Sequence, residues 1–154
     1  MKKIIAAFEQ FDGDPSELIG YQQITTHIIF DIKLGENFRR KARLVDDGHK
    51  TGPPSSVTYS SVVSRDSFRL CLLSAALNNL EVLAGDIENA YLTTPCHEKV
   101  WTRGSKEFGS LEGHTFIVIK ALYGLKNSGA AFRAHPAEQL DAINFKSSIA
   151  DPDI

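Results

Sequence analysis

The sequence contains few cysteines and no long apolar run, and both shortages narrow the class of protein. Its two cysteines, Cys71 and Cys96, are too few for a disulfide framework or a structural zinc site. Near the N-terminus, Glu9 and Asp12 interrupt an apolar run before it reaches the length of a signal-peptide core or a membrane span. We therefore expect a soluble, intracellular protein of the cytoplasm that does not enter a membrane.

A strong excess of charge of either sign is also missing, because 17 lysines and arginines stand against 19 aspartates and glutamates, for a net charge of −2. The basic residues are unevenly spread, however. Several of them, interrupted by a few acids, cluster in the first third of the chain: Lys33, Arg39, Arg40, Lys41, Arg43 and Lys50. Such a cluster is typical either of a phosphate-binding surface or of a solvated charged loop, and charge alone does not separate the two.

The same region carries the pattern of a β-hairpin. Residues 25–34 are rich in β-branched and aromatic side chains, residues 35–37 supply turn residues, and residues 40–45 return as a second strand. Strand alternation puts Lys41 and Arg43 on one face. Two cations on one face can clamp phosphates, although an ordinary solvent-facing surface has the same pattern.

Two helices are predicted. Residues 65–79 place apolar side chains at helical spacing after Ser64, a suitable N-cap, and Cys71 lies on the apolar side, where we expect a small core residue. Residues 128–142 form the second helix, although Pro136 falls inside it, where proline costs about 3 kcal/mol in a regular helix.

Three further strands are predicted, at residues 82–86, 99–102 and 115–122. Residues 1–20, which carry acids, a glycine and a proline, are predicted to be a poorly ordered lead-in. At 154 residues the chain is long enough for one domain with a hydrophobic core.

Residues 83–92, which read LAGDIENAYL, place an acid directly after a glycine at the end of the predicted strand 82–86. Asp86 and Glu88 would share one face of a strand, and carboxylates on a rigid support are the ligands that divalent cations prefer. A Gly-Asp step is more often a turn, or the N-cap of a short helix that begins at Ile87. The residues alone leave both interpretations open.

Five segments in order and spacing resemble the reverse transcriptases of copia-type retrotransposons. They are residues 41–45 (KARLV), 59–63 (YSSVV), 86–92 (DIENAYL), 120–129 (KALYGLKNSG) and 144–153 (NFKSSIADPD). The similarity runs from about Ile24 to the last residue.

The resemblance implies an α+β fold with an antiparallel sheet and packed helices. It assigns residues 21–154 to a partial reverse transcriptase domain that ends before the family's Tyr-x-Asp-Asp motif. The fingers would comprise about 21–63 and 95–126, and the palm about 64–94 and 127–154.

The family's chemistry joins a deoxynucleotide to a primer with two Mg²⁺ ions, about 3.5–4 Å apart in such sites. The resemblance implies that Asp86 is the first catalytic aspartate and a metal ligand, that the backbone carbonyl of Ile87 is a further ligand, and that Glu88 is not.

The resemblance also implies contacts with the incoming nucleotide. Asn89 and Ala90 would offer backbone N–H groups to the triphosphate. Tyr91 stands where the family has an aromatic steric gate, whose ring leaves no room for a ribose 2′-hydroxyl.

Further nucleotide contacts are implied on either side of this segment. Tyr123 and Gly124 match the segment beside the nucleotide and template, with Lys126 nearby. Lys41 and Arg43 are candidates for triphosphate contacts from the fingers, and the register does not say which of them makes the contact.

The sequence also departs from the family. The second catalytic motif, Tyr-x-Asp-Asp, lies beyond the Ala-Asp-Pro segment, and the sequence given ends at Ile154. Asp46 and Asp47 do not replace it, because they follow the wrong strand, where the family usually has small or basic residues. One aspartate cannot organise two Mg²⁺ ions, so we expect this chain alone to be inactive.

The resulting hypothesis is a fragment of an RNA-directed DNA polymerase. By resemblance its partners are an RNA or DNA template-primer, deoxynucleoside triphosphates and the remainder of a polyprotein, in the context of a virus-like particle. The alternatives are a non-catalytic nucleic-acid-binding remnant and a structural interaction module with an unpaired sheet edge. Magnesium dependence and salt-sensitive duplex binding distinguish the three.

Overall fold

A computed structural model describes residues 6–34 and 38–154 and shows two β-sheets and two α-helices. The strands, in chain order, are β1 (Phe8–Phe11), β2 (Gln22–Ile24), β3 (Thr26–Lys33), β4 (Arg39–Asp46), β5 (Val100–Arg103) and β6 (Thr115–Val118). The helices are α1 (Arg65–Leu77) and α2 (Ser128–Ala142). Helices and antiparallel strand pairs together confirm the α+β class.

The larger sheet has the strand order β1-β6-β5-β2. Its β1–β6 and β5–β6 pairs are antiparallel, and its β2–β5 pair is parallel. Strands β5 and β6 fall within one residue of where the sequence predicts them to start. Strand β6 ends four residues before the predicted end at Leu122, and Lys120 then forms an isolated antiparallel bridge with Pro95.

The smaller sheet is the predicted hairpin, and its antiparallel pairing is confirmed. Ile29 lies opposite Arg43, and Asp31 lies opposite Lys41. The alternation along β4 therefore places the two basic residues on the same face, as predicted. The turn residues 35–37 lie outside the described residues.

The core lies between the larger sheet, the base of the hairpin and the segment that follows β6. Nine residues form one buried apolar cluster: Ala7, Phe8, Ile24, Leu44, Val100, Phe116, Val118, Leu122 and Leu125. Phe108 packs edge-to-face on Phe8 at 5.2 Å and stacks on Phe116 at 5.1 Å between ring centroids. Fully burying an aliphatic or phenyl side chain contributes about 1.5–3 kcal/mol, so this cluster is the main stabilising element of the domain.

The prediction of a poorly ordered lead-in over residues 1–20 is wrong for the part that the structure describes. Strand β1 pairs with β6 along its whole length, and Ala7 is 1% exposed. Two of the acids, Asp14 and Glu17, belong to a capped turn, in which Asp14 accepts a hydrogen bond of 2.8 Å from the backbone N–H of Ser16. Acids, glycine and proline are common both in turns and in disordered segments, and in this segment they form a turn. Residues 1–5 lie outside the described residues.

Helix α1 begins where predicted and ends two residues before the predicted end at Asn79. Ser64 caps it, because its Oγ accepts a hydrogen bond of 3.0 Å from the N–H of Ser67. No residue of α1 is buried, however, and Cys71 is exposed. The prediction of Cys71 as a core residue is wrong, because no described element covers the apolar side of this helix.

The predicted strand at residues 82–86 is also wrong. Residues 80–89 have no regular secondary structure and are all exposed, with Leu83 at 93%. A strand requires a hydrogen-bonded neighbour, and no strand among the described residues lies beside this segment.

Helix α2 has the predicted bounds and continues through Pro136. Its first residue, Ser128, is buried, and its hydroxyl donates a hydrogen bond of 2.6 Å to the carbonyl of Leu122. This bond fixes the start of the helix against the end of the core. None of the described helices is long and apolar enough to cross a membrane.

Candidate functional site

A cavity of about 430 Å³ opens between the hairpin and the two segments around Asp86 and Tyr123. Its lining includes seven of the residues that the family resemblance assigns to the site: Lys41, Arg43, Asp86, Ile87, Asn89, Tyr91 and Tyr123. These residues come from three separate parts of the chain. The fold therefore brings most of the sequence-predicted site residues to one place.

One wall of the cavity is basic. Strand β4 contributes Arg39, Arg40, Lys41 and Arg43, and Lys33 is added from β3. Arg43 forms an ion pair with Asp31 across the hairpin, with 3.7 Å between Nη1 and Oδ2. A concave surface lined by several cations attracts anions more strongly than isolated surface lysines do.

The opposite wall carries the carboxylates of Asp86 and Glu88, both exposed. Asp86 makes no hydrogen bond or ion pair with any residue in the described ranges. Asn89 then turns the chain with a left-handed backbone (φ 55°), a conformation that asparagine tolerates better than most residues.

The chain continues from Asn89 into a short 3-10 helix, Ala90–Thr93. The N–H of Leu92 donates to the carbonyl of Asn89 at 2.8 Å, and the hydroxyl of Thr93 donates to the carbonyl of Ala90 at 2.6 Å. The first N–H groups of such a turn have no partner within the helix and point out at its beginning. Ala90, which the resemblance assigns to the triphosphate, lies just outside the cavity lining.

Aromatic rings close one side of the cavity. The ring of Tyr91 lies 4.7 Å from that of Tyr123 and 5.9 Å from that of Phe132, between centroids. Phe132 lies on α2 and belongs to none of the residues that the sequence predicts for the site. Its only signal in the sequence is its place among the partly periodic apolar positions of that helix.

Gly124 and Lys126, which the resemblance also assigns to the site, do not line the cavity. Gly124 has φ +97°, and a Cβ at this position would lie 1.9 Å from the carbonyl oxygen of Asp46. The ammonium of Lys126 donates to the carbonyls of Thr51 and Gly52 at 2.7 and 3.1 Å. Both residues hold neighbouring segments together behind the cavity.

Asp46 and Asp47 lie at the end of β4 and do not line the cavity. Asp46 is 2% exposed, and burial raises the pKa of its carboxyl to about 7, with a smaller contribution from the charge of Asp47. Hydrogen bonds from Lys50 (2.7 Å) and Thr25 (2.5 Å) lower the pKa of Asp47 to about 2. This acidic pair is a departure from the family that is visible in the sequence, but no sequence pattern indicates that one member is buried.

The residues present do not complete a magnesium site. Within the described ranges, no group of three or more histidine, cysteine, aspartate or glutamate residues is placed to hold a metal ion. Magnesium prefers near-octahedral oxygen coordination, and the Asp86 carboxylate would supply only part of such a set.

Comparison with known proteins agrees with the motifs. Residues 15–153 match the family described as reverse transcriptase (RNA-dependent DNA polymerase). Over 117 residues, 73% of this chain, the sequence is 29% identical to the retrovirus-related Pol polyprotein from transposon RE1 of Arabidopsis thaliana. It is 28% identical over the same length to the corresponding polyprotein from transposon RE2.

The chain spans 8% of the length of each of these relatives. No solved structure matches the chain. The family match covers nearly the whole chain, and the relatives are polyproteins of the kind that the five motifs predict. The chain therefore belongs to the reverse transcriptase (RNA-dependent DNA polymerase) family, as a member of its copia type.

Proposed function

We propose that this chain supplies the nucleotide-binding cavity of an RNA-directed DNA polymerase. The observation that carries the proposal is the single cavity lined by the basic residues of β4, by Asp86 and by Tyr91. A nucleoside triphosphate has complementary chemistry: a polyanionic tail for the basic wall and a planar, apolar face for the rings.

Lys41 is the stronger candidate for the triphosphate contact. Arg43 is already engaged with Asp31, whereas Lys41 has no ion pair with any residue that the structure describes. Both side chains are partly buried against the hairpin, so each is held near the cavity. In this proposal Arg43 contributes mainly a background of positive charge.

Asp86 is the proposed catalytic aspartate. Its carboxylate and the carbonyl of Ile87 would hold Mg²⁺ together with ligands from outside the described residues, and the metal would supply charge stabilisation during nucleotidyl transfer. Because the set within the chain is partial, we expect the 154-residue chain alone not to extend a primer. The proposed macromolecular partner is an RNA or DNA template-primer, met inside the cell.

The remainder of a polyprotein is a further proposed partner. Helix α1 exposes large apolar side chains, among them Phe68 and Leu73 at 54% each and Leu77 at 76%. Exposed apolar surface of this extent marks a surface that another polypeptide covers. The relatives are polyproteins about twelve times the length of the matching segment, on the basis of the 8% coverage. Slower amide exchange along α1 in a longer polypeptide would support this assignment, and unchanged exchange would contradict it.

The proposal is tested by measuring the binding of a deoxynucleoside triphosphate to the 154-residue chain by calorimetry. Lys41→Ala removes one charge from the cavity wall, and we expect about tenfold weaker binding, equivalent to about 1.4 kcal/mol. The matched control is Lys99→Ala, since Lys99 is an exposed lysine outside the cavity lining. Equal losses in both variants would show non-specific charge attraction and would refute the assignment.

A nucleic-acid-binding remnant is the second candidate, and the row of cations on β4 favours it. Competition and salt titration distinguish the two functions. If the cavity binds a nucleotide, an unlabelled triphosphate displaces a labelled one at low concentration. If the hairpin binds a duplex, added salt releases that duplex.

A further inference from the structure

Asp46 is a buried acid at a place where two segments of backbone cross. Its side chain is 2% exposed, and neither carboxylate oxygen has a hydrogen-bond partner among the residues that the structure describes. A charged carboxylate in such surroundings is strongly disfavoured, because neither water nor a donor compensates for the loss of hydration.

The crossing itself is tight. The N–H of Asp46 donates a hydrogen bond of 2.7 Å to the carbonyl of Tyr123, and Val45 forms a parallel bridge with the same residue. Gly124 lies so close to the carbonyl of Asp46 that even a Cβ would overlap it. On the other side, a Cβ at Gly48 would lie 2.3 Å from the carbonyl oxygen of Gly124. The backbone around Asp46 and the backbone around Gly124 are therefore in direct contact, and the Asp46 carboxyl is buried beside this contact.

The polar groups nearby do not neutralise the acid. The hydroxyls of Thr26, which lies opposite Asp46 in the hairpin, and of Thr94 are buried and also lack partners among the described residues. A threonine hydroxyl carries no charge, so neither side chain can neutralise an ionised carboxylate.

Four titratable groups lie around Asp46 or its neighbour Asp47, and each comes from a different part of the described chain. Asp47 repels it from the end of the same strand, and Cys96, whose thiol pKa is raised to about 11 chiefly by burial, interacts with it from the segment after Pro95. The nearby cation, Lys50, is engaged with Asp47 at 2.7 Å. The imidazole of His27 on β3 also lies against Asp47, at 3.5 Å.

We propose that the protonation state of Asp46 controls the contact between β4 and residues 123–124. The neutral acid keeps the two segments in contact, and its ionisation loosens that contact. Lys41 and Arg43 lie on the strand that ends at Asp46, and Tyr123 lies on the other side of the contact. Ionisation therefore changes how the basic wall of the cavity sits against its aromatic side. This inference concerns the chain itself and does not depend on the proposed polymerase function.

The direction of the pH effect follows from proton linkage. An aspartate in the unfolded chain has a pKa near 3.8, and burial raises the pKa of Asp46 in the folded chain to about 7. Between these values the folded chain binds more protons than the unfolded chain, so stability falls as the pH rises and levels off above about 7. One such group changes the unfolding equilibrium constant by about tenfold per pH unit inside this window.

The test is a pH series on the 154-residue chain with two measurements. Urea unfolding between about pH 5 and 8.5 gives the slope of stability, and ¹³C NMR of the labelled aspartate carboxyls gives the titration of Asp46 directly in the wild type. Hydrogen exchange of the Asp46 N–H, corrected for base catalysis, reports the opening of its bond to Tyr123.

Asp46→Asn keeps the shape of the neutral acid and removes its ionisation, so the slope between about pH 5 and 7 should disappear. Asp31→Asn is the matched control, because Asp31 is an exposed aspartate of the same hairpin, and it should keep the wild-type slope. His27→Gln should also keep it, which separates the effect of Asp46 from that of the imidazole that contacts Asp47.

The proposal is overturned if the Asp46 carboxyl titrates near pH 4 in the folded chain. It is equally overturned if Asp46→Asn retains the wild-type slope, or if the Asp46 N–H exchanges at the same corrected rate at both ends of the pH range. If Asp46→Asn does not fold, the carboxyl titration and the exchange rate of the wild type still decide the question.

Discussion

The carboxylate of Asp151 accepts a hydrogen bond of 3.1 Å from the backbone N–H of Ser64, although 87 positions separate the two residues in the sequence. Ser64 is the N-cap of α1, so the acid lies at the positive end of that helix. Two residues later, Asp153 pairs with Arg133 on α2. The Ala-Asp-Pro segment thus fastens the start of α1 to α2.

Removing the carboxylate of Asp151 should loosen the start of α1. Hydrogen bonds from Ser67 and Ser64 lower the pKa of this carboxyl, which means that its ionised form is stabilised by the folded chain. We expect Asp151→Ala to increase amide exchange of residues 67–69 severalfold while leaving the hairpin unaffected. Glu112→Ala, at an exposed acid far from α1, is the control. Equal exchange in the two variants would show that Asp151 does not hold the helix.

Gly124 offers the sharpest test of the packing behind the cavity. Its positive φ and its contact with Asp46 leave no room for a side chain, so Gly124→Ala should destabilise the chain by about 3 kcal/mol or more. Gly85→Ala is the matched control, because nothing lies within 4 Å of its Cβ position, and we expect a change of about 0.5 kcal/mol or less. Urea unfolding measures both. A small effect at Gly124 would mean that the crossing at Asp46 is not tight.

Asp47 should govern stability in acid. Its pKa of about 2 lies below the ordinary value because Lys50 and Thr25 donate hydrogen bonds to the ionised form. A lowered pKa gives stability that is present above about pH 4 and is lost as the pH falls through about 2. Asp47→Asn should therefore flatten the decline of stability between about pH 4 and 2, as followed by circular dichroism. An unchanged decline would assign the acid sensitivity to other carboxylates.

The sequence predicted the elements whose pattern is local. The hairpin, the Ser64 cap and the bounds of α2 depend on alternation, on a capping hydroxyl and on helical spacing over a few residues. Each of these features is determined by side chains that are close together in the sequence. The structure confirms each of them.

The predictions that failed depend on a partner far away in the sequence. Cys71 lies on an apolar helix side, yet periodicity shows only that a side is apolar and not what covers it. Residues 82–86 have strand composition but no neighbouring strand among the described residues. Residues 8–11 carry no clear strand pattern of their own, and they form a strand because they pair with β6.

The site shows the same division. The family motifs named Asp86, Tyr91 and Tyr123, and all three line the cavity. Phe132 and the burial of Asp46 were missed, because each results from contacts with segments dozens of residues away. No single motif contains that information.

The last prediction concerns the ring of Tyr91. This ring lines the cavity and is held by Tyr123 on one side and by Phe132 on the other, so its position is fixed by packing. If it excludes the ribose 2′-hydroxyl, the wild type should bind a deoxynucleoside triphosphate more tightly than the matching ribonucleotide. Tyr91→Ala should then bring the two dissociation constants close to equality, mainly by strengthening ribonucleotide binding.

Tyr91→Phe is the control that keeps the ring and removes only the hydroxyl, and it should preserve the preference for deoxynucleotides. Truncation to alanine also removes packing, at a cost of about 1–3 kcal/mol, so the unfolding midpoint of each variant is measured beside its binding. A stability loss in Tyr91→Ala with an unchanged ratio of the two dissociation constants would make Tyr91 a packing residue only. A changed ratio in Tyr91→Ala but not in Tyr91→Phe requires the ring itself to face the sugar, because a general loss of stability weakens the binding of both nucleotides equally.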